Sequence, residues 1–294
     1  MCHNTTTMEF QLRADSTNAH VEFQLKARSH DTLHSLYDFA GDEVVSQATY
    51  SRVMTDGYMS TLSFVKGAAE GIGLGLDSET LERWKRVTNA AYYIDDFVDT
   101  AENLQEACEL YRQGMDLAFG HTSSQLAELD ELPVAMDDRL MPAVILLKNS
   151  VSKLPDGQVA LLRHAATSIN TITIRKAQSE DLAEYASLLK REAYYTSILV
   201  TGSASQAVYD QPAFARFSEW CEQTLTLGTL GDHAIDLHDD SRRHLTAVRP
   251  TVSAVGRLAL GVVSPGWRMV TSRSLRRATL ASLWERSQFH HTER

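Results

Sequence analysis

Long stretches of the chain repeat hydrophobic residues every three or four positions, which is the spacing of one face of an α-helix. The clearest stretch, 81–100, contains no Gly or Pro, and Asp77 and Ser78 just before it are residues that cap helix N-termini. The alternation typical of strands is mild and confined to 9–12 and 171–174. The pattern therefore predicts an all-α protein.

Further helices are predicted after this one. The stretches 101–119 and 159–177 have helical spacing, and a long helix over 179–200 has Ser179 as its expected N-cap. This helix should break at 201–203, where Gly202 lies between two small residues. Pro212 should open the last long helix of this region, since proline is favoured in a first helical turn.

Length and composition predict one domain with a large core. The chain has 294 residues, of which 43% are hydrophobic. We expect residues 1–42 to be a peripheral N-terminal extension and 43–294 to form the α domain. No apolar run reaches the roughly 18 residues of a membrane span, and residues 1–7 lack the apolar block of a signal peptide.

Cysteine content indicates the compartment, and net charge limits the classes of binding partner. Three scattered cysteines are too few for a disulfide framework, so a reducing cytoplasmic location is expected. A net charge of −10 argues against nucleic acid as a partner. The charge is uneven, because residues 241–294 contain ten arginines, no lysine and two acids. This basic end either folds over an acidic site or forms a solvated tail.

The first candidate site is an acidic cluster at the end of the stretch 81–100. Asp95, Asp96 and Asp99 stand at positions i, i+1 and i+4, and Asp95 and Asp99 share a helix face with Trp84 and Ala91. Carboxylates are rarely buried unless they are paired or bind a metal, so this face needs a counter-charge. The alternative is a helix end that simply reaches solvent.

A second acidic cluster follows Gly231. Asp232, Asp236 and Asp240 are spaced by four residues, so they form one line along a helix and repel one another. Small or uncharged residues, including Gly228, continue this line toward the N-terminus, which leaves space beside it. Two such helices suggest a cavity with carboxylates at its mouth, and oxygen ligands of this kind suit Mg²⁺.

These two clusters carry a family resemblance. The sequence 95–99, Asp-Asp-Phe-Val-Asp, resembles the aspartate-rich motif of class I isoprenoid synthases, and Asp232, Asp236 and Asp240 stand where terpene cyclases have their second metal motif. The stretches 95–99 and 236–243 also resemble the two motifs of squalene and phytoene synthases. Both groups share an all-helical bundle around a central apolar cavity, so that fold is expected here.

The resemblance implies the reaction and its cofactor. The expected activity is that of a class I terpene synthase, a carbon–oxygen lyase that ionises an allylic prenyl diphosphate, with a C20 or part-cyclised substrate among the candidates. All six aspartates would bind Mg²⁺, three ions in number when substrate is bound. A homodimer is left open.

The resemblance also implies residues around the substrate. Basic residues that would bind the diphosphate are Arg175, Lys190, Arg191, Arg242 and Arg243. Aromatic residues that would line the apolar pocket and stabilise a carbocation are Phe64, Tyr92, Tyr93, Phe97, Tyr194, Tyr195 and Trp220. Surface salt bridges and ordinary core contacts are the competing roles for these two sets.

Two other functions compete with the cyclase. One is a squalene/phytoene synthase-type enzyme that condenses two prenyl diphosphates, and the other is a helical protein whose acids bind metal or a basic partner without catalysis. Asp236 and Asp240 fit the condensing motif as well as they fit the cyclase motif. Asp232 favours the cyclase, since an acid there has no structural reason and adds one metal ligand.

Overall fold

The computed structural model describes residues 56–120, 140–243 and 245–291, and within these ranges every regular element is a helix. The all-α prediction is confirmed for this part of the chain. The predicted boundary between 42 and 43 and the strand candidate at 9–12 lie outside the described residues. The helices are α1 (Asp56–Ile72), α2 (Ser78–Asp99), α3 (Leu104–Ala118), α4 (Met141–Val151), α5 (Asp156–Gln178), α6 (Leu182–Thr201), α7 (Gln206–Tyr209), α8 (Phe214–Arg242), α9 (Val252–Gly261), α10 (Val263–Thr271) and α11 (Arg273–His291).

Local sequence explains where these helices begin and end. Asp77 caps α2, because its Oδ1 accepts a hydrogen bond of 2.7 Å from the backbone N–H of Thr80. The turn between α1 and α2 contains Gly73 with φ of +83°, a conformation that favours glycine. As predicted, α6 ends at Thr201, immediately before Gly202.

Three local predictions are corrected. The N-cap of α6 is Asp181, whose carboxylate accepts from the N–H of Ala183, whereas Ser179 is the C-cap of α5. The strand candidate at 171–174 lies inside α5, because Ile172 continues the buried face of a long helix, and this tertiary packing outweighs the strand preference of β-branched residues. Pro212 precedes α8 by two residues, and the helix itself begins at Phe214.

The core consists of three hydrophobic clusters. The first joins α2 to α3, α4 and α5, and the second joins α1 and α2 to α8, α10 and α11. The third lies between α6, α8 and α9. Helix α2 contributes to two of them, with Phe97 in the first and Trp84 stacked on Phe217 in the second, their ring centroids 5.1 Å apart. Both faces of α2 are therefore fixed by the core.

The described helices do not include a membrane-spanning candidate. Within these ranges no helix combines the length and the hydrophobicity needed to cross a bilayer.

Candidate metal and diphosphate site

The two acidic clusters lie at the C-terminal ends of their helices. Asp95, Asp96 and Asp99 occupy the last two turns of α2, and Asp236 and Asp240 occupy the last two turns of α8. A helix C-terminus already carries a partial negative charge, and the last turn of α2 contains no basic residue. Carboxylates are unfavourable at such positions, so the end of α2 requires positive charge from elsewhere, whereas the end of α8 has Arg242 in its last turn and Arg243 as its C-cap.

The structure brings part of the two clusters together. The pKa of Asp99 is raised chiefly by burial and also by the negative charge of Asp240, so these carboxylates from α2 and α8 face the same region. The guanidinium of Arg243, the residue after α8, opposes this effect on Asp99. Arg243 Nη2 also donates a hydrogen bond of 3.0 Å to the carbonyl oxygen of Asp99. The ends of the two acidic helices are thus in direct contact.

Asp95 is accessible to solvent but surrounded by protein. Burial among these surroundings raises the pKa of Asp95 to about 6, and the negative charges of Asp99 and Glu192 raise it further. Lys176 and His233 act in the opposite direction. A carboxylate that is desolvated by surrounding protein and still accessible to solvent can be reached by a cation, which would offset the cost of its ionisation.

A buried ion pair lies beside these aspartates. Lys176 of α5 is 9% exposed, and its Nζ donates to both carboxylate oxygens of Glu192 of α6, at 2.6 and 2.7 Å. Lys176 lowers the pKa of both Asp95 and Asp99, whereas Glu192 raises the pKa of Asp95. The pair adds no net charge, so the aspartates remain in excess over the cations around them.

Asp240 is held by a histidine of its own helix. Nδ1 of His233 lies 3.0 Å from Asp240 Oδ2 and 3.1 Å from the hydroxyl oxygen of Tyr185. One ring nitrogen either donates to the carboxylate or accepts from the phenol, so the tautomer of His233 decides which bond forms. Burial and the charge of Asp240 raise the pKa of Tyr185, so its hydroxyl stays protonated and available as a donor.

The remaining acids of the predicted set are less enclosed. Asp232 and Asp236 are exposed on α8, and the side chain of Asp96 lies outside the described part of the structure. A Cβ added at Gly228 or Gly231 would meet no atom within 4 Å, so there is open space along this line, as the sequence predicted. Thr224, one turn before Gly228, has a buried hydroxyl oxygen without a hydrogen-bond partner in the described structure.

The predicted diphosphate-binding residues fall in two places. Arg243 contacts the acidic region, whereas Arg242 is exposed and paired with Asp239. Arg175 and Arg191 line a separate cavity of about 180 Å³ between α5 and α6, and Arg175 also pairs with Glu184 at 2.6 Å. Lys190 is exposed on α6. For all five basic residues, Arg243 included, diphosphate binding stays a prediction.

The predicted aromatic lining is also divided. Tyr93 and Phe97 are buried in the first core cluster, and Trp220 is buried in the second, with Phe64 at 5.2 Å between ring centroids. Tyr194 is exposed and contacts Tyr195, and Tyr92 is half-buried one turn before Asp95. Tyr92 precedes Asp95 by three residues and Asp99 by seven, so it shares a helix face with these acids, whereas the neighbouring Tyr93 and Phe97 point into the core.

Sequence reasoning missed Lys176, Glu192 and His233. The signal for Lys176 was present, because it follows the buried Ile172 by one helical turn, whereas Arg175 falls on the exposed side of α5. His233 precedes Asp240 by seven residues, or two helical turns, so the two share a face of α8. Glu192 had no comparable signal, since only the fold shows which helix Lys176 faces.

The donor chemistry of this region fits Mg²⁺. Among the described residues, no group of three His, Cys, Asp or Glu side chains converges tightly enough to hold a metal by itself. Mg²⁺ does not need such a cage, because it usually keeps several waters and binds one or two carboxylates together with substrate phosphates. Asp95, Asp99 and Asp240 supply carboxylates in negative excess, which such an ion would neutralise.

Comparison with solved structures adds a structural likeness. No protein-family model matches the chain, and no curated protein matches it. A solved structure of cucumene synthase aligns with a TM-score of 0.46 and 11% sequence identity, covering 81% of this chain and 94% of that chain. The functional conclusion therefore has to come from the residues of the acidic region.

Proposed function

We propose that this chain is a Mg²⁺-dependent class I terpene synthase that ionises an allylic prenyl diphosphate to a terpene product and diphosphate. The observation that carries the proposal is the contact between the C-terminal ends of α2 and α8, where Arg243 donates to the Asp99 carbonyl oxygen and the charge of Asp240 helps to raise the pKa of Asp99. Two separate helix ends that both place acids at an unfavourable position indicate a ligand that brings positive charge.

The residues have distinct roles in this proposal. Asp95 and Asp99 on one side and Asp232, Asp236 and Asp240 on the other would hold the metal, with Asp96 beside them. Bound Mg²⁺ would supply Lewis-acid chemistry at the diphosphate oxygens. Arg243 would donate charge-assisted hydrogen bonds to the diphosphate, because it follows α8 directly and already contacts the acidic end of α2.

The second part of the proposal concerns the space behind the acids. The open volume beside Gly228 and Gly231 would receive the prenyl chain, and the unpartnered hydroxyl of Thr224 lies along the same helix line. Tyr92, on the Asp95 face of α2, would present an aromatic ring to the developing carbocation. Water must be excluded here, since it would quench the cation.

A product assay tests the proposal. The protein is incubated with Mg²⁺ and with prenyl diphosphates of each chain length, and organic-soluble products are identified by mass spectrometry. We expect a terpene hydrocarbon or alcohol from one of them, no product in the presence of EDTA, and none from Asp95→Ala, whose circular dichroism should match the native protein. A folded protein that consumes no prenyl diphosphate would overturn the proposal.

A further inference from the structure

The last three helices expose an unusual amount of apolar surface. Trp267 is 68% exposed and Leu260 is 70% exposed, and both come from short helices, α10 and α9, that contact each other. We call the following set of exposed side chains the C-terminal surface: Leu260, Val263, Trp267, Val270, Leu280 and Leu283, with the six arginines 249, 257, 268, 273, 276 and 277.

The exposed residues follow helical faces. On α10, Val263, Trp267 and Val270 are spaced by four and three residues, so they lie on one side of the helix. On α11, Leu275 and Ala278 are buried in the second core cluster, and the opposite side is exposed. A helix that buries one apolar face and still exposes bulky apolar residues on the other has a second surface to cover.

The charge of this surface has one sign. Residues 245–284 contain six arginines and no Lys, Asp or Glu, and all six arginines are exposed. Arg268 approaches Glu219 of α8 at 3.5 Å. The whole protein has a net charge of −10, so this concentration of positive charge is local. Its complement is an anionic surface.

Two of the arginines also line a cavity. Arg249 and Arg257 face a space of about 410 Å³ beside the first turn of α9, together with Thr251, Ser253 and Glu180. Guanidinium groups bind phosphate oxygens in a bidentate manner, and hydroxyls add further donors. A phosphate headgroup therefore finds suitable donors at the edge of the C-terminal surface.

We propose that the C-terminal surface binds the headgroup region of a membrane that contains anionic phospholipids. Exposed Trp, Leu and Val side chains next to arginines are the composition of helices that lie in the membrane–water interface. A symmetric dimer through the same surface is disfavoured, because it would place arginines opposite arginines. The inference does not depend on the proposed catalytic function.

Vesicle sedimentation tests it with the full chain and no prenyl substrate. We expect the protein to bind vesicles of phosphatidylcholine and phosphatidylglycerol, to bind pure phosphatidylcholine at least tenfold more weakly, and to be released by salt. Trp267 fluorescence should shift to shorter wavelength on binding. Equal affinity for both vesicle types, or no binding to either, would overturn the proposal.

Two variants distinguish membrane binding by the arginines from a role of the arginines in stabilising the fold. Arg273→Glu/Arg277→Glu should reduce binding by more than about thirtyfold, since the loss of each arginine near an anionic membrane costs roughly fivefold and each glutamate adds repulsion. These positions lie in the first turns of α11, where acids favour the helix, so folding should be retained. Lys153→Glu, an exposed charge reversal between α4 and α5, is the matched control and should leave binding unchanged.

Self-association provides the competing outcome. Analytical ultracentrifugation without lipid should show the same mass for native protein and Trp267→Ala, and Trp267→Ala should bind anionic vesicles more weakly. If the native protein is an oligomer that Trp267→Ala dissociates, the surface binds a second copy and the membrane proposal fails.

Discussion

Arg243, just after α8, donates a hydrogen bond of 3.0 Å to the carbonyl oxygen of Asp99, the last residue of α2. This bond satisfies a carbonyl at a helix end, where no intrahelical partner exists. The Arg243 guanidinium also lowers the pKa of the Asp99 carboxyl, against the effects of burial and of the negative charge of Asp240. The arginine therefore fixes the distance between two helix ends that repel each other.

Replacing Arg243 should lower turnover of the diphosphate substrate more than it lowers the stability of the fold. We expect Arg243→Ala to lower kcat/KM for the diphosphate substrate about ten- to hundredfold, because hydrogen bonds to charged groups contribute roughly 1.5–3 kcal/mol. Steady-state kinetics at saturating Mg²⁺ measures this. Arg242→Ala is the matched control, since Arg242 is exposed and paired with Asp239, and it should lose little activity. Equal losses in both variants would contradict the role given to Arg243.

Asp232 distinguishes the cyclase from the condensing enzyme. Asp232→Asn should keep measurable activity, because an amide oxygen can still bind Mg²⁺, whereas Asp232→Ala should lose nearly all of it. Asp239→Ala is the control, since Asp239 lies off the line of Asp232 and Asp240 and pairs with Arg242. Full activity in Asp232→Ala, or a product that contains two joined prenyl chains, would favour the condensing enzyme.

The raised pKa of Asp95 predicts how the stability of the metal-free protein depends on pH. The carboxyl ionises near 3.8 in the unfolded chain and near 6 in the folded protein, so the folded state binds more protons between these values. Stability therefore falls as pH rises through this window, and the ionised carboxylate destabilises the metal-free fold above it. Asp95→Asn should raise Tm in EDTA, and the gain should be larger at about pH 8 than at about pH 5.

The control for this experiment is Asp156→Asn. Asp156 is exposed in the first turn of α5, where a negative charge is favourable, so the variant should not raise Tm at either pH. Thermal melts of both variants across this range provide the comparison. A gain from Asp95→Asn that does not depend on pH would show that ionisation of Asp95 is not its cause.

Lys176 and Glu192 form a buried ion pair, so the effects of replacing them on the free energy of unfolding should not be additive. Lys176→Met leaves Glu192 with 17% of its side chain exposed and no ion-pair partner, so we expect a loss of about 3–5 kcal/mol in the free energy of unfolding. Lys176→Met/Glu192→Leu removes both charges and should recover most of that loss. Urea denaturation measures both. A double variant as unstable as the single one would mean that contacts other than the ion pair dominate.

Open space beside Gly228 predicts separate effects on stability and product. Gly228→Leu should raise the free energy of unfolding by about 0.5–1 kcal/mol, because leucine favours helix and its Cβ meets no atom within 4 Å. It should also change the product or lower turnover, since the side chain enters the proposed pocket. Gly256→Leu, also helical and open in α9, should be stabilising without changing the product. Identical products from both variants would place the substrate elsewhere.

Sequence predicted the helices better than it predicted which side chains meet. The bounds of α2 and α5 differ from the predicted 81–100 and 159–177 by three residues or fewer at each end, because hydrophobic spacing and capping residues act locally. Asp99 and Arg243 were both identified as candidates, yet their contact depends on how α2 and α8 pack, which no local pattern contains. Lys176 is a different case, because its spacing of four residues from Ile172 locally places it on the buried face of α5 and Arg175 on the exposed face.

The close contact between α1 and α11 affects how the protein is made. A Cβ at Gly71 would come within 2.7 Å of the Ala281 Cβ, so the first and last described helices touch at nearly backbone distance. About two hundred residues separate the end of α1 from the start of α11, so among the described helices this contact is one of the most non-local. During synthesis, α1 cannot pack against α11 until the ribosome has made nearly the whole chain. The face of α1 that α11 covers is therefore exposed throughout that time. A chain that ends before Arg273 would keep that face uncovered and would be a target for chaperones and proteases.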